Sequence, residues 1–271
     1  MPNDTARTEP RHPLLAPDDP PAFEHLNPEG RARFILVCDH ASLAVPKRLG
    51  TLGLDPADLR RHIGWDIGAA EVTRVLARRL DAQAFLSGYS RLVVDCNRKF
   101  EDPSSIPEVS DRTEVPGNRN LAPAERAARI AACFRPYHDA IAATLDRLIA
   151  AGQAPGVLSI HSFTPVFDAR HRPWHVGILW HKDGRLARPL IATLAADPAI
   201  TVGDNEPYDG ASPHAYTMPV HGLGRGLPHA QFEIRQDLIG DAAGVALWAD
   251  RLHRVIAAVM SDPSIYRARR F

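Results

Sequence analysis

A continuous apolar run, Phe34-Ile-Leu-Val-Cys38, ends abruptly in a carboxylate and an imidazole, Asp39-His40, with Ala41-Ser42 and Pro46 beyond. An unbroken run of this kind predicts a strand buried on both faces, as in a parallel or mixed sheet. The carboxyl end of such a strand is where open α/β sheets place their ligand sites. His40 is therefore read as the first ligand of a catalytic metal. The rest of the chain must supply the others.

Strand signals alternate with helix signals along the chain. Ala84-Phe85-Leu86, Leu92-Val93-Val94, Gly156–Ile160, Val176–Trp180 and His229–Ile234 read as strands. Asp55-Pro56 predicts a short helical turn, with Asp55 as N-cap and proline at the first helical position. Val72, Val75, Leu76 and Leu80 recur at helical spacing. A long helix is expected from Pro123 to about Ala151, bent at Pro136, where the imino nitrogen removes a hydrogen bond. Further helices are expected around Leu186–Ala196 and over Ala242–Met260. The alternation implies an α/β fold, a three-layer sandwich around a mixed sheet.

Residues 1–30 hold seven prolines and few apolar side chains. They predict an extended or disordered N-terminal arm, leaving residues 31–271 as a single catalytic domain. The stretch from Lys99 to Ala122 lacks periodicity and reads as a long loop in which Arg112, Asn118 and Arg119 close over a bound acid.

Charge narrows the choice of partner. Lys plus Arg and Asp plus Glu both number 32, giving a formal net charge of zero. Bulk electrostatics thus supply no reason to expect a nucleic-acid or membrane-surface partner. The polar start of the chain lacks the apolar core of a signal peptide. The three cysteines, Cys38, Cys96 and Cys133, have no metal-type spacing. Reduced, buried thiols in a cytoplasmic protein are the expectation.

Three strand-like segments deliver a polar residue each: His40, His161 and Glu233. Catalytic zinc takes three protein ligands and leaves a fourth position open. Hydrolysis adds a carboxylate base beside the water. Glu233 has two readings. It is either a catalytic carboxylate or half of an ion pair with Arg235, which lies on the same side of the strand at period two. Arg91, Asp95, Asn97 and Arg98 crowd the ends of one apolar segment. Their fork-shaped donors suit a substrate carboxylate, and a salt-bridge cluster fastening the strand to the next loop is the alternative.

Seven segments in order resemble the N-formylglutamate amidohydrolase family. They are Val37-Cys-Asp-His40-Ala-Ser, Gly64-Trp-Asp66-Ile-Gly68, Tyr89-Ser-Arg91-Leu-Val-Val-Asp95-Cys-Asn97-Arg98, Pro136-Tyr-His138, Ile160-His161-Ser-Phe-Thr-Pro165, Asn205-Glu-Pro-Tyr208 and Glu233-Ile-Arg235-Gln-Asp237-Leu. The family is similar to zinc carboxypeptidases and aspartoacylase-type enzymes, which implies a phosphorylase/hydrolase-like sandwich. The resemblance implies a divalent metal, zinc, on His40 and His161, with Glu233 as general base. It also implies that Asn97 and Arg98 grip an α-carboxylate. Arg91 would reach a second carboxylate or the developing oxyanion, and Arg235 would be a further substrate contact. The chain departs from the carboxypeptidase pattern at Leu43, where a glutamate ligand is expected. Asp66 is the replacement ligand or, alternatively, the N-cap of the helix that follows. The implied reaction is hydrolysis of an N-acyl amino acid, N-formylglutamate, to formate and glutamate. A deacylase or carboxypeptidase-like enzyme for another substrate, and a metal-free carboxylate-binding protein, are the rival readings.

Overall fold

The computed structural model describes residues 14–271. Its strands are β1 (Phe23–Leu26), β2 (Phe34–Cys38), β3 (Gln83–Ser87), β4 (Val109–Ser110), β5 (Thr113–Glu114), β6 (Gly156–Phe163), β7 (Val166–Phe167), β8 (Arg170–His171), β9 (Val176–Leu179), β10 (Val202–Asp204) and β11 (His229–Arg235). The helices are α1 (Pro56–Leu59), α2 (Ala69–Arg79), α3 (Pro123–Arg129), α4 (Arg135–Ala150), α5 (Ala187–Ala195) and α6 (Ala242–Met260).

Seven strands form the central sheet in the order β1-β3-β2-β6-β11-β9-β10. The pairs β3–β2, β2–β6, β6–β11 and β9–β10 are parallel, whereas β1–β3 and β11–β9 are antiparallel. This is a mixed sheet with helices on both faces, an α/β three-layer sandwich.

Strand β2 shows why. All five of its residues are buried. Phe34, Leu36 and Cys38 pack with α2, α5 and α6, while Ile35 and Val37 pack on the opposite side with Tyr137, Ile141 and Leu145 of α4. Side chains alternate across a strand, so a sheet covered on both faces requires apolar residues at every position.

Three expectations need correction. Leu92-Val93-Val94 is buried but forms turns, not a strand. Its carbonyls are taken by side chains: Asn118 Nδ2 donates to Leu92 O (2.9 Å) and Arg129 Nη1 to Val93 O (3.3 Å). The backbone is thus satisfied without a ladder. The expected single helix from Pro123 is instead α3, a π-helical turn over Ile130–Phe134, and α4. Pro136 sits in the first turn of α4, where a missing N–H costs least. Within the segment read as an arm, residues 23–26 pair with β3 along the sheet edge; residues 1–13 lie outside the described residues.

The 99–122 segment is fastened down. Asn118 is buried, and its Oδ1 accepts a hydrogen bond from Arg129 Nη1 (2.6 Å). Arg119 pairs with Glu114, and Arg112 with Asp168. All three cysteines are free and buried. No helix among the described residues is long and apolar enough to cross a membrane.

Candidate active site

Strand β2 ends at Cys38, and the chain turns so that Asp39 and His40 face different partners. The His40 carbonyl accepts the Asp66 N–H (3.0 Å), which draws the 64–68 segment under the strand end. Helix α2 is capped by Gly68, at φ 78°, without a side-chain hydrogen bond. A Cβ there would lie 2.1 Å from the Ile239 carbonyl, so glycine is required by both conformation and space. With Gly68 as the cap, the Asp66 carboxylate is free to face the two histidines.

Asp66 Oδ2 lies 3.2 Å from His40 Nδ1 and 2.8 Å from His161 Nδ1. His40, Asp66 and His161 are all buried, and one ligand atom from each lies within 4.8 Å of the others. Both imidazoles are held from behind. His40 Nε2–H donates to Asp95 Oδ1 (2.7 Å) and His161 Nε2–H to Asp39 Oδ2 (3.1 Å). Asp39 is itself fixed by the hydroxyls of Tyr137 (2.9 Å) and Thr217 (2.8 Å). If an ion took the place of the shared contacts with Asp66, the two Nδ1 atoms would be its ligands while the Nε2 protons stayed on the backing carboxylates, as in metal-ligating histidines. Two imidazoles and one carboxylate suit a divalent transition ion. Leu43 is 37% exposed and takes no part.

The carboxylates around the two rings pull them toward the charged form: against burial and Arg91, Asp95 and Asp66 raise His40, and against burial Asp39 and Asp66 raise His161 well above an ordinary imidazole. Burial opposes ionisation of Asp66, but His40 and His161 outweigh it and hold the carboxyl well below its ordinary range. Asp95 is likewise held down against burial, chiefly by Arg91. Arg91 donates to Asp95 Oδ2 through Nε (3.0 Å) and Nη2 (2.7 Å), and its Nη1 lies 3.6 Å from Asp66 Oδ1.

Glu233 is the neighbour of His161 in the parallel β11–β6 register. It does not pair with Arg235, whose Nε donates to Asp237 (2.8 Å). Glu233 Oε1 instead accepts from Gln231 Nε2 (2.7 Å), and Oε2 has no hydrogen-bond partner. Burial pushes the Glu233 carboxyl up to about 7, with His161 pulling against it.

His40, Asp66, Arg91, His161, Gln231 and Glu233 border a cavity of about 530 Å³, together with Asn97, Arg98, Tyr208 and Ser212. Asn97 Oδ1 accepts the N–H groups of Tyr216 (3.2 Å) and Thr217 (3.1 Å), which leaves its Nδ2 as the donor toward the cavity. Arg98 is braced on the Asn97 carbonyl (3.0 Å). Tyr208 reaches the wall because the 205–208 segment, with its cis Glu206–Pro207 bond, lies on Gly177. A Cβ at Gly177 would lie 1.8 Å from the Glu206 carbonyl oxygen. The cavity thus joins a three-ligand cluster, a buried carboxyl and two donor side chains. Arg235 is not among the residues lining it, nor is any residue from 100 to 122.

Comparison with known proteins decides the family. The sequence model of N-formylglutamate amidohydrolase matches residues 32–240. The chain belongs to the N-formylglutamate amidohydrolase family. It is a hydrolase of that kind. A crystal structure of a gene product from Agrobacterium tumefaciens is similar at 38% identity, with a TM-score of 0.88, covering 92% of this chain and 98% of the other. The crystal structure of N-formylglutamate amidohydrolase from Ralstonia eutropha shares the fold at 21% identity and a TM-score of 0.70, covering 88% of this chain and 97% of the other. No curated protein matches.

The geometry also gives roles to residues to which the sequence assigned none. Asp39 and Asp95 were visible as carboxylates inside apolar segments, which need a buried partner. Gln231 lies two residues before Glu233 on the same strand face. Nothing local in the sequence marks Thr217 or Tyr137 as partners of Asp39.

Proposed function

We propose that this enzyme removes the formyl group of N-formylglutamate, or the acyl group of a related N-acyl amino acid, releasing the acid and the free amino acid. His40, Asp66 and His161 hold a divalent metal, zinc. The carboxylate-backed imidazoles converging on Asp66 carry this reading, because a hydrogen-bonded core histidine does not need its far nitrogen aimed at a shared anion. We further propose that residues 31–271 act as one catalytic domain, located in the cytoplasm, where the free thiols Cys38, Cys96 and Cys133 stay reduced.

When bound, the ion supplies Lewis acidity that acidifies water and polarises the scissile carbonyl. Asn97 and Arg98 hold the α-carboxylate of the substrate at the cavity wall. Glu233 takes a proton from the attacking water as its oxygen bonds to the acyl carbon. The C–N bond then breaks, and Glu233 returns the proton to the leaving nitrogen. Burial raises this carboxyl above its ordinary range, which favours its holding the proton between the two transfers. Arg91 keeps Asp95 ionised, so that His40 retains its proton on Nε2.

Glu233→Gln tests the assignment. The variant should keep the metal content of the wild type and lose turnover by roughly 10²–10⁴-fold. Elemental analysis and an assay of formate release read the two outcomes. A zinc-reconstituted wild type that holds no metal, or a variant that retains activity, would overturn the reading.

A further inference from the structure

A second chamber adjoins the main cavity. It has a volume of about 200 Å³ and shares Leu179, Ser212, Pro213 and Gln231 with the larger space. Its floor follows from the pleat of β11. His229, Gln231 and Glu233 alternate with apolar residues and point to one face. Glu233 borders the main cavity, Gln231 borders both, and His229 borders the chamber. The same Gln231 donates its amide N–H to Glu233. The chamber therefore begins one side chain away from the proposed base.

Its chemistry differs from that of the main cavity. Leu179, Trp180, Ala215, Met218, Pro219 and Leu223 supply its walls. Of the basic side chains that border it, Lys99 is exposed, His181 is half-buried, and Nδ1 of the buried His229 is already taken by the Leu227 carbonyl (2.8 Å). No buried cation waits there for a carboxylate. The turn at Gly210 closes one side against Trp180, since a Cβ at Gly210 would lie 2.4 Å from the Trp180 carbonyl oxygen. The carboxylate donors, Asn97, Arg98 and Arg91, all lie in the main cavity.

We infer that this chamber is a substrate subsite for an unbranched apolar chain of several carbons. The enzyme's substrates are then N-acyl amino acids that carry such a chain, on the acyl carbonyl or on the α-carbon. The inference rests on the deacylase reading for where the scissile bond lies. A formyl group and a glutamate side chain leave the chamber unused. An apolar chain reaching past Gln231 buries against its walls while the α-carboxylate stays on Asn97 and Arg98.

Calorimetric titration of zinc-reconstituted Glu233→Gln protein tests this, since the ligand is then not consumed. One series runs from N-formylglutamate to N-hexanoylglutamate. The other runs from N-formylglycine to N-formylnorleucine. In one of them affinity should rise about fourfold per added methylene until the chamber is full. Leu223→Trp, which fills the chamber, should flatten the rise and leave the shortest member within twofold. Ala215→Leu is the smaller plug should the tryptophan fail to fold. Flat affinity in both series, or a rise that persists in a folded plugged variant, overturns the subsite. Turnover by the wild type is measured alongside. Hydrolysis with flat affinities sinks the subsite alone. A rising series without hydrolysis sinks the deacylase reading alone, and no binding by any member sinks both.

Discussion

His40 and His161 differ from an ordinary core histidine in what stands behind each ring. Asp95 and Asp39 accept from the Nε2 atoms, so each imidazole is locked in tautomer and in orientation. Asp95→Asn should therefore weaken zinc binding by roughly 10–100-fold, read by chelator competition, with the ligands themselves untouched. Arg98→Ala should raise KM about 10–100-fold, because a charge-assisted contact to a carboxylate is lost, with a smaller change in kcat. Steady-state kinetics on N-formylglutamate separate the two constants, and an unchanged KM would remove Arg98 as the carboxylate clamp. At this scale much was legible. A polar residue at the end of a buried strand marked His40, and carboxylates within apolar runs marked Glu233 and Asp95. The partners were not legible, since Asp95 lies 55 residues from His40 and Asp39 lies 122 residues from His161. Arg235 shows which of the two alternatives left open for Glu233 fails. Shared strand face suggested a pair with Glu233, yet Asp237 is close enough to take its guanidinium first.

Elements carry these residues, and one segment among them is held by side chains and a turn, not by a strand ladder. The 92–94 segment is as apolar as a strand but is clamped by Asn118 and by Arg129, whose guanidinium also donates to the Gly117 carbonyl (2.9 Å). Asn118 gives both amide protons, to Leu92 O and Pro107 O, and its Oδ1 accepts from Arg129. Asn118→Ala leaves buried carbonyls and a buried guanidinium short of partners. The expected loss is roughly 2–4 kcal/mol, measured as a lower urea midpoint at unchanged m-value. The apolar run was misread as a strand because hydrophobicity reports burial and not the hydrogen-bond partner. Helix α6 was legible to its ends because Asp241 caps it and a repeating apolar face continues to Met260. The π-helical turn before α4 had no local signal.

Across the whole molecule, buried titratable groups couple the fold to pH. His138 Nδ1 and His221 Nε2 lie 3.0 Å apart, and His138 Nε2 is bound to the Cys96 carbonyl (2.8 Å). Burial, with His138 and Arg225 nearby, pushes His221 down to about 3, despite Asp39 and Asp146. The unfolded chain protonates this imidazole near 6.5, so between that pH and about 3 the unfolded state binds more protons. Stability therefore falls as pH is lowered through this window. Relative to His221→Gln, the wild type should lose stability steadily from pH 7 to pH 4 in urea titrations. A constant difference between the two proteins would disprove the coupling.

The core strands of the sheet, and their cover on both faces, were legible in the sequence. Five consecutive apolar residues in β2 are compatible only with burial on both faces, and alternation of strand and helix signals set the layers. The sequence also singled out His40, His161 and Glu233 through their places in strand segments, and the fold brings the three to one cavity. The tertiary structure alone decided the remaining choices. It made Gly68 the cap and gave Asp66 to the histidines, separated Glu233 from Arg235, and opened a chamber beyond Gln231. Each of these turns on which distant group arrives within about 3 Å of a polar atom, and hydrogen bonding at that range depends on position in space, not on neighbours in the chain.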